Sequence, residues 1–272
     1  MRISKLINGV VNYTYRRLFI SSDFVKQPTS NAFGVSDLFV WRNDQKWKTY
    51  FELLDVYGLV KSDLSSSPNR FVVAALFDKN GKLLMKKKIE LNKFARNTIS
   101  IKDIFSDEEI QNTIHQDFGT FAIFHSVDKE IGNDAVLTDR GYCGYEFQDS
   151  HFRGYVHGNF DAVEITPTGM KLLMGFNKIS RFYNLQHILT GPSSYEIALV
   201  NPTEKGQFVK IFTKSNLNKK TFRKRIESKG VEIFKFDLAE SEVIRLRIKS
   251  KMFMARPTVF RTSGTSMDVF HG

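Results

Sequence analysis

Cysteine is almost absent. Cys143 is the one thiol in 272 residues, which excludes an internal disulfide framework and a cysteine-ligated zinc site. A lone thiol fits a reducing compartment, and a cytoplasmic location is the expectation. Only six prolines, no acidic tail and no long Gly/Ser run argue against linkers and low-complexity segments. No apolar run approaches the ~18 residues of a membrane-spanning helix. Catalytic signatures are missing too. The chain has no HExxH, no His-x-His pair, no Walker loop and no GxGxxG, and its GPSS stretch (Gly191–Ser194) lacks the Gly-x-Ser-x-Gly of a nucleophile elbow. No metal site and no cofactor is expected, and whether the chain is an enzyme is left open.

What is present is apolar mass and positive charge. Hydrophobic residues make up 42% and include 25 phenylalanines, enough for real cores. The length suits two domains of about 110 residues better than one core. Forty Lys and Arg against 29 Asp and Glu leave a net charge of +11, clustered at Lys86–Lys88 and again at Lys214–Lys229. Such an excess favours contact with anionic surfaces, while the plainer reading is a solvated basic face.

The first residues carry Arg2, Lys5, Arg16 and Arg17 with no acid before Asp23. Their apolar run is interrupted by Asn8, Gly9 and Asn12 and no small-residue cleavage site follows, so a secretory signal is not expected. Ile3, Leu6, Ile7, Val10 and Val11 fall at helical spacing and predict a short basic amphipathic helix. Packing on the first domain is the preferred role for it, over membrane anchoring.

From residue 38 onward the pattern is that of strands. Leu38–Trp41 and Trp47–Val60 read as strands, and Ser62–Asn69 as a loop. Arg70–Phe77 and Leu83–Leu91 flank Asn80-Gly81, the strongest short hairpin signal. Thr98–Ile101 and Gly119–His125 are further strands, with a short helix predicted over Ser106–Gln116 from its serine cap and first-turn acids. The second half retraces this. Gln207–Phe212 corresponds to Arg70–Phe77, Thr221–Ile226 to Leu83–Leu91, and Val231–Leu238 to Thr98–Ile104 through a shared Ile-x-x-x-Asp-Ile/Leu. Val243–Ile248 alternates strictly, arginines on one face and aliphatics on the other. Ala135–Gly158 and Glu242–Gly272 share an outline: an apolar run, an arginine in a break (Arg140, Arg256), an aromatic-rich run and a closing His-Gly.

Short strands with Gly and Asn turns and little helical period predict an all-β chain. The expected architecture is two tandem immunoglobulin-like antiparallel β-sandwich domains with a short N-terminal helix. The boundaries are 1–36 for the basic segment, 37–160 for the first sandwich and 161–272 for the second.

Two sets of residues are candidates for function. Arg140, Arg153, Tyr155 and His157 form a ligand-binding set, because strand alternation puts Arg153, Tyr155 and His157 on one face where the second copy offers Met267 and Val269 beside His271. An arginine fork, an aromatic and a histidine rim suit a carboxylate, phosphate or sugar. The competing reading is inherited scaffold. Lys219, Lys220, Arg223 and Arg225 form an anion-binding set that can lie along phosphates. That run lacks the interleaved aromatics of a stacking platform. Cys143 and the six histidines read as packing or hydrogen-bonded groups. The leading expectation is a non-enzymatic binding or assembly protein presenting a basic surface and loops to an anionic polymer, a carbohydrate or a protein. A sugar or small-molecule enzyme with a site around Arg140, Arg153 and His157 is the alternative, as is a structural subunit of a larger particle or filament. Homo-oligomerisation is left open.

Overall fold

The computed structural model describes residues 20–21, 24–25, 32–36, 38–44, 46–54, 70–91, 96–105, 117–127, 137–138, 141–147, 152–157, 163–166, 169–172, 176–203, 205–215, 218–252 and 256–272. The N-terminal helix, the helix over Ser106–Gln116, the loop Ser62–Asn69 and Arg140 lie outside them. The described chain is almost entirely antiparallel β-structure, and none of its helices is long and apolar enough to cross a membrane.

The first sandwich pairs two sheets. One contains β3 (Ala32–Val35), β4 (Phe39–Arg42), β6 (Arg70–Asp78), β7 (Leu83–Glu90), β9 (Phe118–Val127) and β10 (Leu137–Thr138), in the order β10-β3-β9-β6-β7 with β4 also on β9. The other contains β5 (Trp47–Leu54), β8 (Arg96–Ser100), β11 (Tyr142–Phe147) and β12 (Arg153–His157), in the order β12-β11-β5-β8. Phe39 and Phe121 from the first sheet meet Phe51 from the second at 5.7 and 5.8 Å between ring centroids. The buried Tyr145 hydroxyl donates to the Val40 carbonyl at 2.8 Å, tying the sheets together.

Asn80-Gly81 forms the predicted hairpin. Asp78 accepts from the N–H groups of Asn80 and Lys82, and Gly81 sits at φ +79°, where a Cβ is strained. The run Thr98–Ile104 does not continue as one strand. Ser100 accepts from the Asp103 N–H and Asp103 accepts from the Ser100 N–H, a capping box that ends β8 and starts the four-residue helix α1 (Ile101–Ile104).

The second sandwich repeats the strand order. β15 (Phe176–Asn184), β16 (Leu189–Thr190), β18 (Gln207–Ser215), β19 (Lys219–Ile226) and β21 (Val243–Met252) form one sheet, ordered β15-β21-β18-β19 with β16 on β21. β1 (Ile20–Ser21) extends it beside β15. The facing sheet holds β17 (Ser193–Val200), β20 (Val231–Leu238), β22 (Thr258–Ser263) and β23 (Ser266–His271), ordered β20-β17-β22-β23. A three-stranded sheet of β13 (Val163–Thr166), β14 (Gly169–Leu172) and β2 (Phe24–Val25) completes the described strands. Segments before residue 37 thus pair with sheets of both sandwiches.

The strands of each sandwich cross repeatedly between its two sheets. The chain leaves β8 for β9 in the opposite sheet before returning to β11, and β21 intervenes likewise between β20 and β22. β9 is covered on both faces: Phe121 and Ile123 are buried on one, Ala122, Phe124 and Ser126 on the other, as its near-continuous apolar run requires.

The expected equivalence of Ile99 with Ile233 fails by one residue. Ile99 opposes Phe51, an inward residue of β5, whereas on β20 it is Phe234 that opposes the inward Ile197. Ile233 faces the other way, against the first sandwich. A one-residue slip exchanges the two faces of a strand, so the shared motif was a coincidence of composition. Likewise β21 takes the place of β9, not that of the run containing β10.

The two sandwiches share a core. The sheet of β17, β20, β22 and β23 is packed on both sides: Tyr195, Ile197, Phe234 and Val259 into its own sandwich, Ala198, Val231, Phe260 and Val269 onto the first. Phe260 lies edge-on to Trp47 and Tyr145 at 5.0 and 4.8 Å. Arg42, 4% exposed, reaches across to Glu196 and also binds Asp44. Burial pushes the Glu196 carboxyl up, but Arg42 and Lys235 outweigh it and hold it below the usual carboxylate range.

Candidate polyanion-binding face

The outer face of the β15-β21-β18-β19 sheet collects the charge that the sequence spread over three segments. On β19 the outward positions are Lys219, Thr221, Arg223 and Arg225; on β18, Phe208, Lys210, Phe212 and Lys214; on β21, Arg245, Arg247, Lys249 and Lys251. Their inward neighbours Val209, Ile211, Leu246 and Ile248 are core residues, so the pleat fixes which set points out.

Register places like charges directly opposite one another. Lys214 stands between Lys219 and Arg245, and Lys210 between Arg223 and Lys249. Opposed like charges destabilise a sheet, and no acid occupies any of these outward positions. Among the described residues, these cations make one ion pair, Arg225 to Glu227 at 3.0 Å, and it is exposed. Folding alone gives no reason to accumulate such repulsion, whereas a bound anion relieves it.

Aromatic rings lie between the cations. Phe208 is 53% exposed and carries the Arg223 guanidinium over its ring at 4.5 Å. Phe182, from β15, pairs in register with Lys249, carries Arg247 at 3.8 Å and sits 5.9 Å from the Phe212 ring. At one end the face sinks into a cavity of about 600 Å³. Lys214, Lys219, Lys220, Arg245 and Arg247 surround it, with Phe212, Asn184, His187 and Ile188 completing the wall.

Three of the four expected anion-binding residues, Lys219, Arg223 and Arg225, therefore point onto this face, while Lys220 takes the opposite parity and reaches the cavity rim. The cations of β18 and β21 were missed as partners. Their signal was the strict alternation of Val243–Ile248 combined with that of Gln207–Lys214, which matters only once both strands share a sheet. The interleaved aromatics that Lys214–Lys229 lacks come from Phe182, Phe208 and Phe212.

Arg153, Tyr155 and His157 do share one exposed face of β12, and Val156 points inward. Arg153 is already engaged, bonded to Glu146 at 3.1 Å and stacked on Tyr50 at 3.6 Å. The Tyr155 hydroxyl donates to Glu52 at 3.2 Å. The two closing histidines meet: the rings of His157 and His271 are 5.1 Å apart, and His271 Nε2 bonds the His157 carbonyl. Burial pushes the His271 imidazole below its usual range, with the neighbouring His157 and Arg256 charges adding to the effect against its hydrogen bonds. Val269 is buried against Gly154. Cys143 is fully buried and desolvation pushes its thiol far up, so it is no nucleophile. Among the described residues no cluster of three metal-ligating side chains occurs.

No known family model matches the chain, and no curated protein does. Among solved structures, one described as manganese lipoxygenase of Gaeumannomyces graminis with a partial zonadhesin of Komagataella pastoris aligns over 93% of this chain and 92% of its own at 13% identity, with a TM-score of 0.21. The CupB6 tip adhesin of Pseudomonas aeruginosa aligns over 93% and 98% at 9% identity, with a TM-score of 0.18. Likeness at these scores supports no statement about fold or function.

Proposed function

We propose that this chain is a non-enzymatic binding protein whose β15-β21-β18-β19 face takes an anionic polymer. The opposed cation triplets, unrelieved by any acid on the three strands, carry the reading. Charge of this kind, held on a rigid sheet, suits a repeating polyanion better than a single small anion, because several rows are filled at once. The test is a titration of a labelled polyanion at several salt concentrations. Binding should weaken steeply with salt, and Arg245→Gln with Arg247→Gln should flatten the slope by about two neutralised charges. Binding that ignores both salt and these substitutions would assign the face to solubility.

The architecture we propose is an internal duplication. Seven antiparallel pairings of the first sandwich have counterparts in the second, from β3 with β9 and β15 with β21 through to the closing hairpins β11-β12 and β22-β23. The repeated crossing between sheets suits an immunoglobulin-like wrapping, in which the chain likewise passes from one sheet to the other and back.

A second reading concerns the exposed side of β12-β11-β5-β8. Tyr142 and Tyr155 are exposed there beside the Glu52 carboxylate, an arrangement suited to the faces and hydroxyls of a sugar. Tyr155→Ala should abolish oligosaccharide binding while leaving polyanion binding unchanged; an unaltered glycan titration would remove this site.

A further inference from the structure

We infer that the polymer is single-stranded nucleic acid, with bases stacked on the phenyl and guanidinium faces and one nucleotide seated in the cavity; this rests on the polyanion reading above. The argument turns on the aromatics. A surface that only attracts phosphates has no use for exposed phenyl rings, and leaving them in water is unfavourable. Phe208 and Phe182 each carry a guanidinium over the ring, Arg223 at 4.5 Å and Arg247 at 3.8 Å. A guanidinium stacked on a ring offers its other face to a base and its edge N–H groups to phosphate oxygens. Base stacking of this kind tolerates any sequence, and alternation of stacking groups with backbone cations is how single strands are held.

Two other partners fit less well. A duplex hides its base faces, so it leaves the rings unused. An anionic lipid surface needs apolar tips that project beyond the cations, whereas here the cations sit over the rings. The cavity adds a positive argument. Its volume of about 600 Å³ falls in the range of small-ligand sites. Phe212 supplies an apolar wall for a base, and Lys214, Lys219 and Arg245, aligned across three strands, supply a row for its phosphate. Asn184 gives a donor and an acceptor for a base edge.

The experiment compares a labelled twelve-residue oligothymidylate, a duplex of equal charge, polyphosphate and phosphatidylserine vesicles, on the whole chain. The single strand should bind most tightly. Phe208→Ala and Phe182→Ala should each weaken it about 5- to 100-fold with an unchanged salt slope, whereas Arg245→Gln should reduce the slope. Oligonucleotides carrying bromouracil should crosslink to β15 and β18. Phe208 is exposed, so an unchanged melting temperature will show that its variant is folded. Equal binding of polyphosphate, or phenylalanine variants without effect, would overturn the single-strand inference and leave the polyanion reading standing. Preference for the duplex or for vesicles would overturn it too. No binding of any of the four would sink both.

Discussion

Strands β6, β7 and β9 and strands β18, β19 and β21 occupy the same places in their sandwiches, yet their outer faces are opposites. On β6 the positions facing away from the sandwich's own core include Val73 and Ala75, and on β9 they include Ala122, Phe124 and Ser126, all buried. The matching positions of β18 and β21 hold Lys210, Lys214, Arg245 and Arg247, all exposed. Strand order is therefore indifferent to what the outer face carries. The inward residues, Val72, Ala74 and Leu76 against Val209 and Ile211, keep the sandwich, and the outward ones are free to make either a covered face or a charged one. A fold of this kind places function on residues that contribute least to its core.

The largest expected effect concerns what joins the two sandwiches. Arg42→Ala leaves the Glu196 carboxylate in a mostly buried site. Removing one partner of a buried pair costs about 3–5 kcal/mol, and because Lys235 remains 2.9 Å from Glu196 the loss should lie near the lower end. Urea unfolding will measure it. A variant with Arg42 and Glu196 both replaced by Met should recover most of the loss. An Arg42→Ala protein of parental stability would mean that apolar packing of Phe260, Val269, Ala198 and Val231 on the first sandwich suffices to hold the two halves together.

A reciprocal exchange breaks the comparison of the faces directly. Val73 is 7% exposed, so Val73→Lys puts an ammonium where its flexible stem must find a way out, costing about 1–3 kcal/mol. Lys210→Val on the matching strand removes a cation opposed by Arg223 and Lys249 and should be neutral or mildly stabilising. Equal losses at both positions would show that the second face is less open than the charge pattern requires.

Much of this was legible in the sequence where a local rule decides the outcome. The Asp78–Lys82 turn and the β12 alternation follow from short-range chemistry. Two features were not legible. The capping box Ser100–Asp103 turns the chain out of a β-favouring run within four residues, so propensity misled there. The basic face depends on β18 lying between β19 and β21, a neighbourhood created by a crossing that no local pattern encodes. Two-sided burial of β17 was half visible in the unbroken Ile197-Ala198-Leu199-Val200, since a run without alternation signals a strand covered on both faces.

A smaller effect comes from pH. Burial lowers the His271 pKa below its ordinary 6.5, so the folded state resists the proton that the unfolded state accepts. Stability is therefore fully present above about pH 6.5 and falls as the pH drops toward the folded value. Glu196, whose pKa is lowered from 4.5, contributes stability present above that value and lost only in more acid solution. Melting temperatures from about pH 7.5 to 5.5 thus separate histidine titration from that of Glu196, and His271→Gln should flatten that part of the curve. A wild-type slope surviving in His271→Gln would place the titrating group elsewhere.

The smallest expected effect on stability is the sharpest test of the two faces. Arg225 on β19 sits by Phe208 and pairs with Glu227. On the matching edge strand β7, Lys88 sits over Phe71 at 4.3 Å and pairs with Glu90 at 3.6 Å. The two cations have the same kind of neighbours, and both pairs are exposed, so neutralising either should cost less than about 1 kcal/mol. Melting curves of Arg225→Gln and Lys88→Gln should overlay the parent. Their salt titrations should not agree. If a single strand follows the β18–β19 face, Arg225→Gln removes one phosphate contact and lowers the slope by about 0.7. Lys88 adjoins a covered face with no cations on β6 or β9 beside it, so Lys88→Gln should leave the slope where it was. Equal changes from the two substitutions would mean that net charge of the whole chain, and not the arrangement on one sheet, attracts the polymer.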